Sequence, residues 1–306
     1  MSILVIGATF VDIKGFPFDN YLPTGRNAGK VEYVHGGVAR NVVEDIANVE
    51  LRPTFISIVD DTPMGDAVVQ KLKNHKVNTD YVLTRPDGMG TWLAVFDNNG
   101  DVAGSISKRP NMYPVAELLE EKGDEIFSQV SSVVLEIGLD KEIVKSTLAF
   151  SQKHNVQTFA LVANMSIAAE RRDLLQQFDC VICNQQEAGI LFLDDYEDNT
   201  PEEMLDILVD RITAANIPAM VVTMGGEGSV YATLAGEKGI CPAKKVQVKD
   251  TTGAGDSFCA GVAIGMTYGK TMAEAVEIGT TLAASVIISS ENVCPRFRPE
   301  EFGLQV

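Results

Sequence analysis

The residues best placed to do chemistry lie in one short run, Asp250-Thr251-Thr252-Gly253-Ala254-Gly255-Asp256-Ser257-Phe258. Gly253, Ala254 and Gly255 fall where a loop gives way to a helix. Small residues there let backbone N–H groups approach an anion, and the helix start adds unpaired donors and the positive end of a dipole. Such a loop can hold the charge that develops on a transferring phosphoryl group. Asp256 follows in the first turn. A carboxylate beside an anion hole repels a phosphate unless it has its own task, and taking the proton from an attacking hydroxyl is such a task. Asp250 and Thr252, just upstream, could offer loop oxygens to a cation. The competing reading is structural: Asp favours helix starts, and paired glycines make tight turns.

The elements that would position this run follow a βα rhythm. Ile3 to Ile6 is an unbroken apolar strand of the buried parallel kind. A helix is expected over about 38–49, after Gly36-Gly37, a strand over 55–59 and a helix over 64–76. From 131 onward, strands are expected at 132–137, 157–162, 180–183 and 219–224, with helices from about 140, 168, 185 and 201, the last running to 215. A hairpin near 228–248 precedes two helices over 255–268 and 271–289. This alternation predicts an α/β fold with a mostly parallel central sheet and helices on both faces. Two stretches, about 10–35 and 89–110, break the rhythm with exposed β ribbon and are read as a small β-sheet lid on a single domain spanning 1–306.

Composition narrows the function classes. Hydrophobic residues make up 45% and charged residues 22%, as in globular proteins, and 306 residues suit one large α/β domain. Twenty-five Lys and Arg against 42 Asp and Glu give a net charge of −17, which disfavours a broad nucleic-acid or anionic-membrane surface. The N-terminus lacks the pattern of a signal peptide, and no apolar run is long enough to span a membrane. Five irregularly spaced Cys argue for a reducing, cytoplasmic setting rather than a disulfide framework.

In sequence detail the chain resembles the ribokinase/PfkB carbohydrate kinase family. Asp250 to Phe258, continuing Cys259-Ala260-Gly261, resembles its C-terminal signature, and Gly36-Gly37-Val38-Ala39-Arg40-Asn41 its N-terminal one. Asn184-Gln185-Gln186-Glu187 is similar to its Asn-x-x-Glu motif, and Thr223-Met224-Gly225-Gly226-Glu227-Gly228 to its strand-end nucleotide loop. Four motifs in order carry far more weight than any one of them.

The resemblance implies the three-layer ribokinase-like fold and ATP-dependent transfer of the γ-phosphoryl group to a hydroxymethyl oxygen of a sugar or nucleoside, with Mg²⁺ on the ATP. It implies Asp256 as catalytic base, with Gly253, Ala254 and Gly255 as the anion hole. Asp12, Gly36, Gly37, Asn41 and Glu136 are implied for substrate, with Asn164 a further candidate because the strand ending Leu161-Val162 departs from the usual pattern. Asn184, Thr223, Gly225 and Gly228 are implied for nucleotide, and Glu187 acts indirectly on Mg²⁺. Asp250 and Thr252 are the candidates for a monovalent cation, although Ser289 to Pro295 replaces the Gly-containing segment where relatives bind one. A homodimer through the lid is implied by the family, and an exposed ribbon that seeks cover gives the same expectation independently.

Within the family, Val11 to Gly15, Gly29-Lys30-Val31, Gly36 to Asn41 and the 289–295 tail resemble bacterial pseudouridine kinases, so the expected acceptor is the 5′-hydroxyl of pseudouridine. The alternatives are a fructokinase- or ribokinase-like sugar kinase and, from another class, a catalytically silent sugar- or nucleoside-binding regulator. Lys108-Arg109 departs from the expected lid ending and is read as a solvated turn. Several other patterns are decoys. Gly269-Lys270-Thr271 lacks the preceding Gly of a P-loop and reads as a helix end. Cys180-Val181-Ile182-Cys183 lies in an apolar strand, and His35, His75 and His154 have no metal spacing. Asn164-Met165-Ser166 is a sequon by accident. Gly7-Ala8-Thr9 carries one glycine where a dinucleotide fold needs three.

Overall fold

The computed structural model describes residues 1–162, 169–170 and 172–305. Nine strands form the main sheet among these residues. β1 (Ile3–Ile6), β4 (Thr54–Val59), β5 (Asn78–Thr84), β8 (Ser132–Glu136), β9 (Gln157–Leu161), β10 (Cys180–Asn184) and β11 (Ala219–Thr223) are parallel, and β12 (Ser229–Thr233) and β13 (Lys238–Cys241) add antiparallel strands at one edge. The order is β13-β12-β11-β10-β9-β8-β1-β4-β5.

The apolar runs of the central strands follow from burial on both faces. Leu4 and Ile6 of β1 point into one core with Val133 and Leu135, beneath helices α3 (Tyr113–Phe127), α4 (Lys141–His154) and α7 (Pro201–Ala215). Ile3 and Val5 point into the other with Val134, beneath α1 (Val38–Asn48), α2 (Pro63–Asn74), α8 (Ala254–Thr267) and α9 (Met272–Ile287). The remaining described helices are α5 (Arg172–Leu175) and α6 (Gln185–Phe192). α8 and α9 approach closely because Gly261 meets Gly279: a Cβ on Gly261 would lie 2.5 Å from the Gly279 backbone.

A second sheet stands apart from the first. β2 (Phe10–Pro17), β3 (Gly29–Gly36), β6 (Gly90–Phe96) and β7 (Val102–Lys108) lie in the order β3-β2-β6-β7. The expected ribbons at 10–35 and 89–110 therefore pair with each other, through the parallel β2–β6 contact. β2 is a continuous strand despite its Gly and Pro. β5, an edge strand with polar starting residues, and α3, whose pattern is interrupted by Pro114 and Gly123, have no counterpart in the sequence reading. Only the first part of the expected 228–248 hairpin is sheet. The helix expected from about 168 begins outside the described residues, as does Asn164.

The short decoys resolve as structure. Gly269 takes a left-handed φ of 74° after α8, and Thr271 opens α9 with a capping box to Glu274. Cys180 and Cys183 are buried in β10. No described helix is long and apolar enough to cross a membrane.

Candidate active site

The candidate residues collect at the C-terminal ends of the parallel strands, where open α/β sheets form their crevices. At the centre is the Gly253 turn. Gly253 caps α8 with φ of 83°, and a Cβ there would sit 2.1 Å from the Asn292 carbonyl oxygen, so both backbone and space demand glycine. Gly255 faces open space. Thr252 N–H donates to Asp250 Oδ1 at 2.8 Å, which closes the turn before the helix. The two candidate cation residues are thus bonded to one another.

Asp256 sits in the first turn of α8 and accepts from Nδ2 of Asn41, in α1, at 2.6 Å. Burial pushes its carboxyl up to about 7. The Asn41 bond and the Arg40 charge oppose that shift, while the Glu136 and Glu187 charges add to it. Behind it, buried Asp45 accepts from Ser257 Oγ at 2.8 Å and from Cys294 N–H at 2.6 Å, and burial raises it to about 7 as well. α1, α8 and the C-terminal segment are thereby locked at the point where Asp256 is presented.

At the other glycine pair, Gly37 begins α1 with φ of 99°, and a Cβ there would meet the Ala8 carbonyl oxygen at 2.6 Å. A Cβ on Gly36 would lie 2.5 Å from Asp12 Oδ1, so the glycine leaves room for that carboxylate. Burial raises the Asp12 carboxyl, against the charges of Lys14 and Arg40. Glu136 ends β8 buried, accepts from Ala8 N–H at 2.9 Å, and is pushed up to about 7 by burial. Arg109 acts on Glu136 through its charge, whereas Lys108 forms an exposed ion pair with Asp87 at 2.8 Å. Both basic residues closing the hairpin are exposed, as a solvated turn requires.

The sequence reading missed an aromatic array. Trp92 stands directly opposite Asp12 in the β2–β6 register, so both side chains share one face. On that face Phe16 and Phe96 stack at 4.7 Å between ring centroids, and Trp92 meets Phe96 edge-on at 6.4 Å. Lys14, also on this face, acts through its charge on both Asp12 and Asp250. The signal in the sequence was the chain's single Trp, alternating with Ala94 and Phe96.

On the other side of Asp256 lies a cleft of about 850 Å³. It is lined by Asn184, Thr223, Gly225, Gly228, Ala254 and Gly255, all read from motifs. Its remaining wall comes from 242–248 and α9, including Val246, Val248 and Ala283, with Lys244 and Lys245 alongside. No motif marks that wall, since its residues merely need to be apolar and close. Gly228 needs its φ of 104° and its lack of a side chain, because a Cβ would meet the Cys241 carbonyl oxygen at 2.1 Å. Asn184 and Glu187 form the capping box of α6: Glu187 N–H donates to Asn184 Oδ1, and Asn184 N–H to Glu187 Oε2, each at 2.8 Å.

Among the described residues no group of three or more His, Cys, Asp or Glu side chains could hold a metal ion by itself, so the cation of a kinase reaction would arrive on the nucleotide's phosphates, beside Glu187, whose carboxyl is raised by burial.

A raised carboxylate at a glycine-led helix start, bonded to Asn41 of the Gly36-Gly37 helix and next to a cleft of about 850 Å³, is the equipment of an alcohol-phosphorylating transferase. The pfkB family carbohydrate kinase model matches residues 1–295, and the chain belongs to that family of kinases. It is 35% identical over 293 residues to the guanosine-inosine kinase of Exiguobacterium acetylicum, covering 95% of this chain and 96% of that one. It is 25% identical to the pseudouridine kinase of Escherichia coli K12, covering 90% and 86% respectively. Among solved structures, Arabidopsis thaliana ribokinase complexed with ribose and ATP superposes with a TM-score of 0.86 at 21% identity, covering 98% of this chain and 97% of that one. The fold is thus ribokinase-like, the protein is a kinase, and the family implies ATP and a sugar or nucleoside acceptor.

Proposed function

We propose that the chain transfers the γ-phosphoryl group of Mg·ATP to the 5′-hydroxyl of a ribonucleoside, and that purine ribonucleosides are the preferred class. The observation that carries this reading is the aromatic array beside Asp12. A free sugar needs hydroxyl partners only, whereas a nucleoside adds a flat base, and aromatic side chains bind such faces with about 1–3 kcal/mol per base. The 35% identity to a guanosine-inosine kinase, against 25% to a pseudouridine kinase, favours a purine over the C-nucleoside that the motif details suggest.

In this mechanism Asp12 and Glu136 receive ribose hydroxyls, and Asn41 and the Gly36-Gly37 backbone hold the sugar against Asp256. Asp256 takes the proton of the 5′-hydroxyl as the oxygen attacks phosphorus in line with the leaving ADP. The N–H groups of the Gly253 turn and the start of α8 receive the equatorial charge. Thr223, Gly225 and Gly228 line the nucleotide cleft with Asn184. Glu187 is the residue that would hold Mg²⁺, through the ion's water shell, and the ion supplies neutralisation of phosphate charge when bound. The small sheet acts as a lid that excludes competing water.

The opposite face of the small sheet supports pairing with a second copy. Tyr33, Ile13, Leu93 and Ile106 form one row across all four strands, and Tyr33, Leu93 and Ile106 are exposed.

The test is ADP release with guanosine, inosine, adenosine, pseudouridine, ribose and fructose as acceptors. The expected order places guanosine or inosine first in kcat/KM. Pseudouridine in first place would move the assignment to the C-nucleoside, and a free sugar in first place would end the nucleoside reading. Binding without ADP formation on any acceptor would favour a silent regulator.

A further inference from the structure

Arg40 is the residue before Asn41 in α1, and 0% of it is exposed. Burying a guanidinium costs several kcal/mol unless its N–H groups are paired. Here Nη1 donates to Glu44 Oε2 at 2.5 Å, one helical turn along. Nη2 donates to the His35 carbonyl oxygen and to Asn41 Oδ1. Glu44 is itself buried and receives Lys71 of α2 at 2.8 Å. None of these partners is bulk water, so the cation is held in one place.

The consequence falls on Asn41. Its amide has an acceptor end and a donor end, and a side chain alone does not decide which faces Asp256. A guanidinium can only donate, so it takes the Oδ1 end and leaves the Nδ2 end for the Asp256 carboxylate, where the 2.6 Å bond is found. The reversed amide would set its Nδ2 hydrogens against Arg40's donors and its Oδ1 against the Asp256 carboxylate, losing both bonds. The same Nη2 group reaches His35, in β3 just before Gly36-Gly37, and that carbonyl also accepts from Asn292 Nδ2 at 3.1 Å. One buried cation therefore joins the root of the small sheet, the substrate-side asparagine and the tail that packs on Gly253.

We infer that Arg40 is a positioning residue for phosphoryl transfer: it holds the Asn41 amide in the orientation that donates to Asp256. This rests on the reading of Asp256 as the base. Arg40 touches neither Asp256 by a hydrogen bond nor, in this reading, the acceptor, so its effect on turnover runs through Asn41.

The experiment is a double-mutant cycle on steady-state kinetics with the best acceptor of the panel. Arg40→Met is combined with Glu44→Gln so that no buried charge is left unpaired, and the pair is measured with and without Asn41→Ala. The expected result is a loss of at least tenfold in kcat with KM for ATP within twofold, and a further loss on adding Asn41→Ala that is at least tenfold smaller than Asn41→Ala causes alone. Arg40→Lys, which keeps the charge but not the planar fork, is expected to recover part of the loss, and it replaces the paired variant in the cycle should that variant fail to fold. Losses that multiply across the cycle, or an unchanged kcat, would overturn the inference. Asp256→Asn measured alongside separates the two levels. If it keeps near-normal turnover, the base reading itself fails; if it is inactive while the cycle is multiplicative, only the role of Arg40 fails.

Discussion

Asn41 in α1 donates to Asp256 in α8 at 2.6 Å, across 215 positions of the chain. Beside it, Ser257 Oγ reaches Asp45 Oδ2 at 2.8 Å, so two neighbouring bonds dock the same pair of helices. The two glycine-led motifs, which start these helices, are thus held as one unit. The carboxyl of Asp256 is thereby fixed against the start of α1.

Replacing Asp256 by Asn separates catalysis from folding. A positioned base contributes roughly 10²–10⁴-fold. The variant is expected to lose at least that much in kcat while its melting temperature at pH 8 stays level or rises, because a buried charge has been removed. Near-normal turnover would end the assignment.

The pH dependence follows from three carboxyls. Asp45, Glu136 and Asp256 are each raised to about 7 by burial, while the same groups titrate near 4 in an unfolded chain. Between those limits the folded state binds more protons, so the stability they contribute is full below about pH 4 and is lost as pH rises through about 7. Melting temperature should therefore fall between pH 5 and pH 7 and level off above that, and Asp45→Asn should flatten the fall. Activity runs the other way, since the base must be ionised: kcat/KM should rise with pH across an apparent pKa near 7, reported by the coupled group rather than by one residue. A flat profile from pH 5.5 to 8 would contradict this.

Trp92 is the chain's single tryptophan, so intrinsic Trp fluorescence reads one site. Saturating nucleoside should quench it, and ribose alone should not. Trp92→Ala should raise KM for the nucleoside about tenfold, in line with one lost stacking contact of 1–3 kcal/mol, and leave KM for ATP within twofold. Equal quenching by ribose and nucleoside would remove the stacking role.

Glu187→Gln is a clean probe of the metal side, because Gln also completes a capping box and α6 should keep its start. The expectation is a severalfold rise in the Mg²⁺ concentration for half-maximal activity with an unchanged melting temperature. An unchanged Mg²⁺ requirement would show that Glu187 serves the helix only.

Ile106 is 70% exposed in the apolar row of the small sheet. Ile106→Glu should shift the mass measured by light scattering from two chains to one. A wild-type chain that is monomeric at tens of micromolar would remove the dimer.

Sequence alone determined the architecture and the family. The apolar runs of β1, β8, β9, β10 and β11 are long enough in pattern to declare a two-sided sheet, and Gly253, Gly37 and Gly228 are glycine because their φ angles and neighbours allow nothing larger. Local chemistry of that kind is written in local residues. β5 and α3 were illegible because polar edge residues and an interrupted helix pattern leave weak periodicity. Only the tertiary structure decided which groups meet: that the 10–35 and 89–110 ribbons make one sheet, that Trp92 stands opposite Asp12, that α9 walls the cleft, and that Arg40 turns the Asn41 amide toward Asp256. Burial also decided the charge state, since a carboxylate's pKa depends on the water it has lost and the charges it faces, and neither is visible until the chain has folded around it.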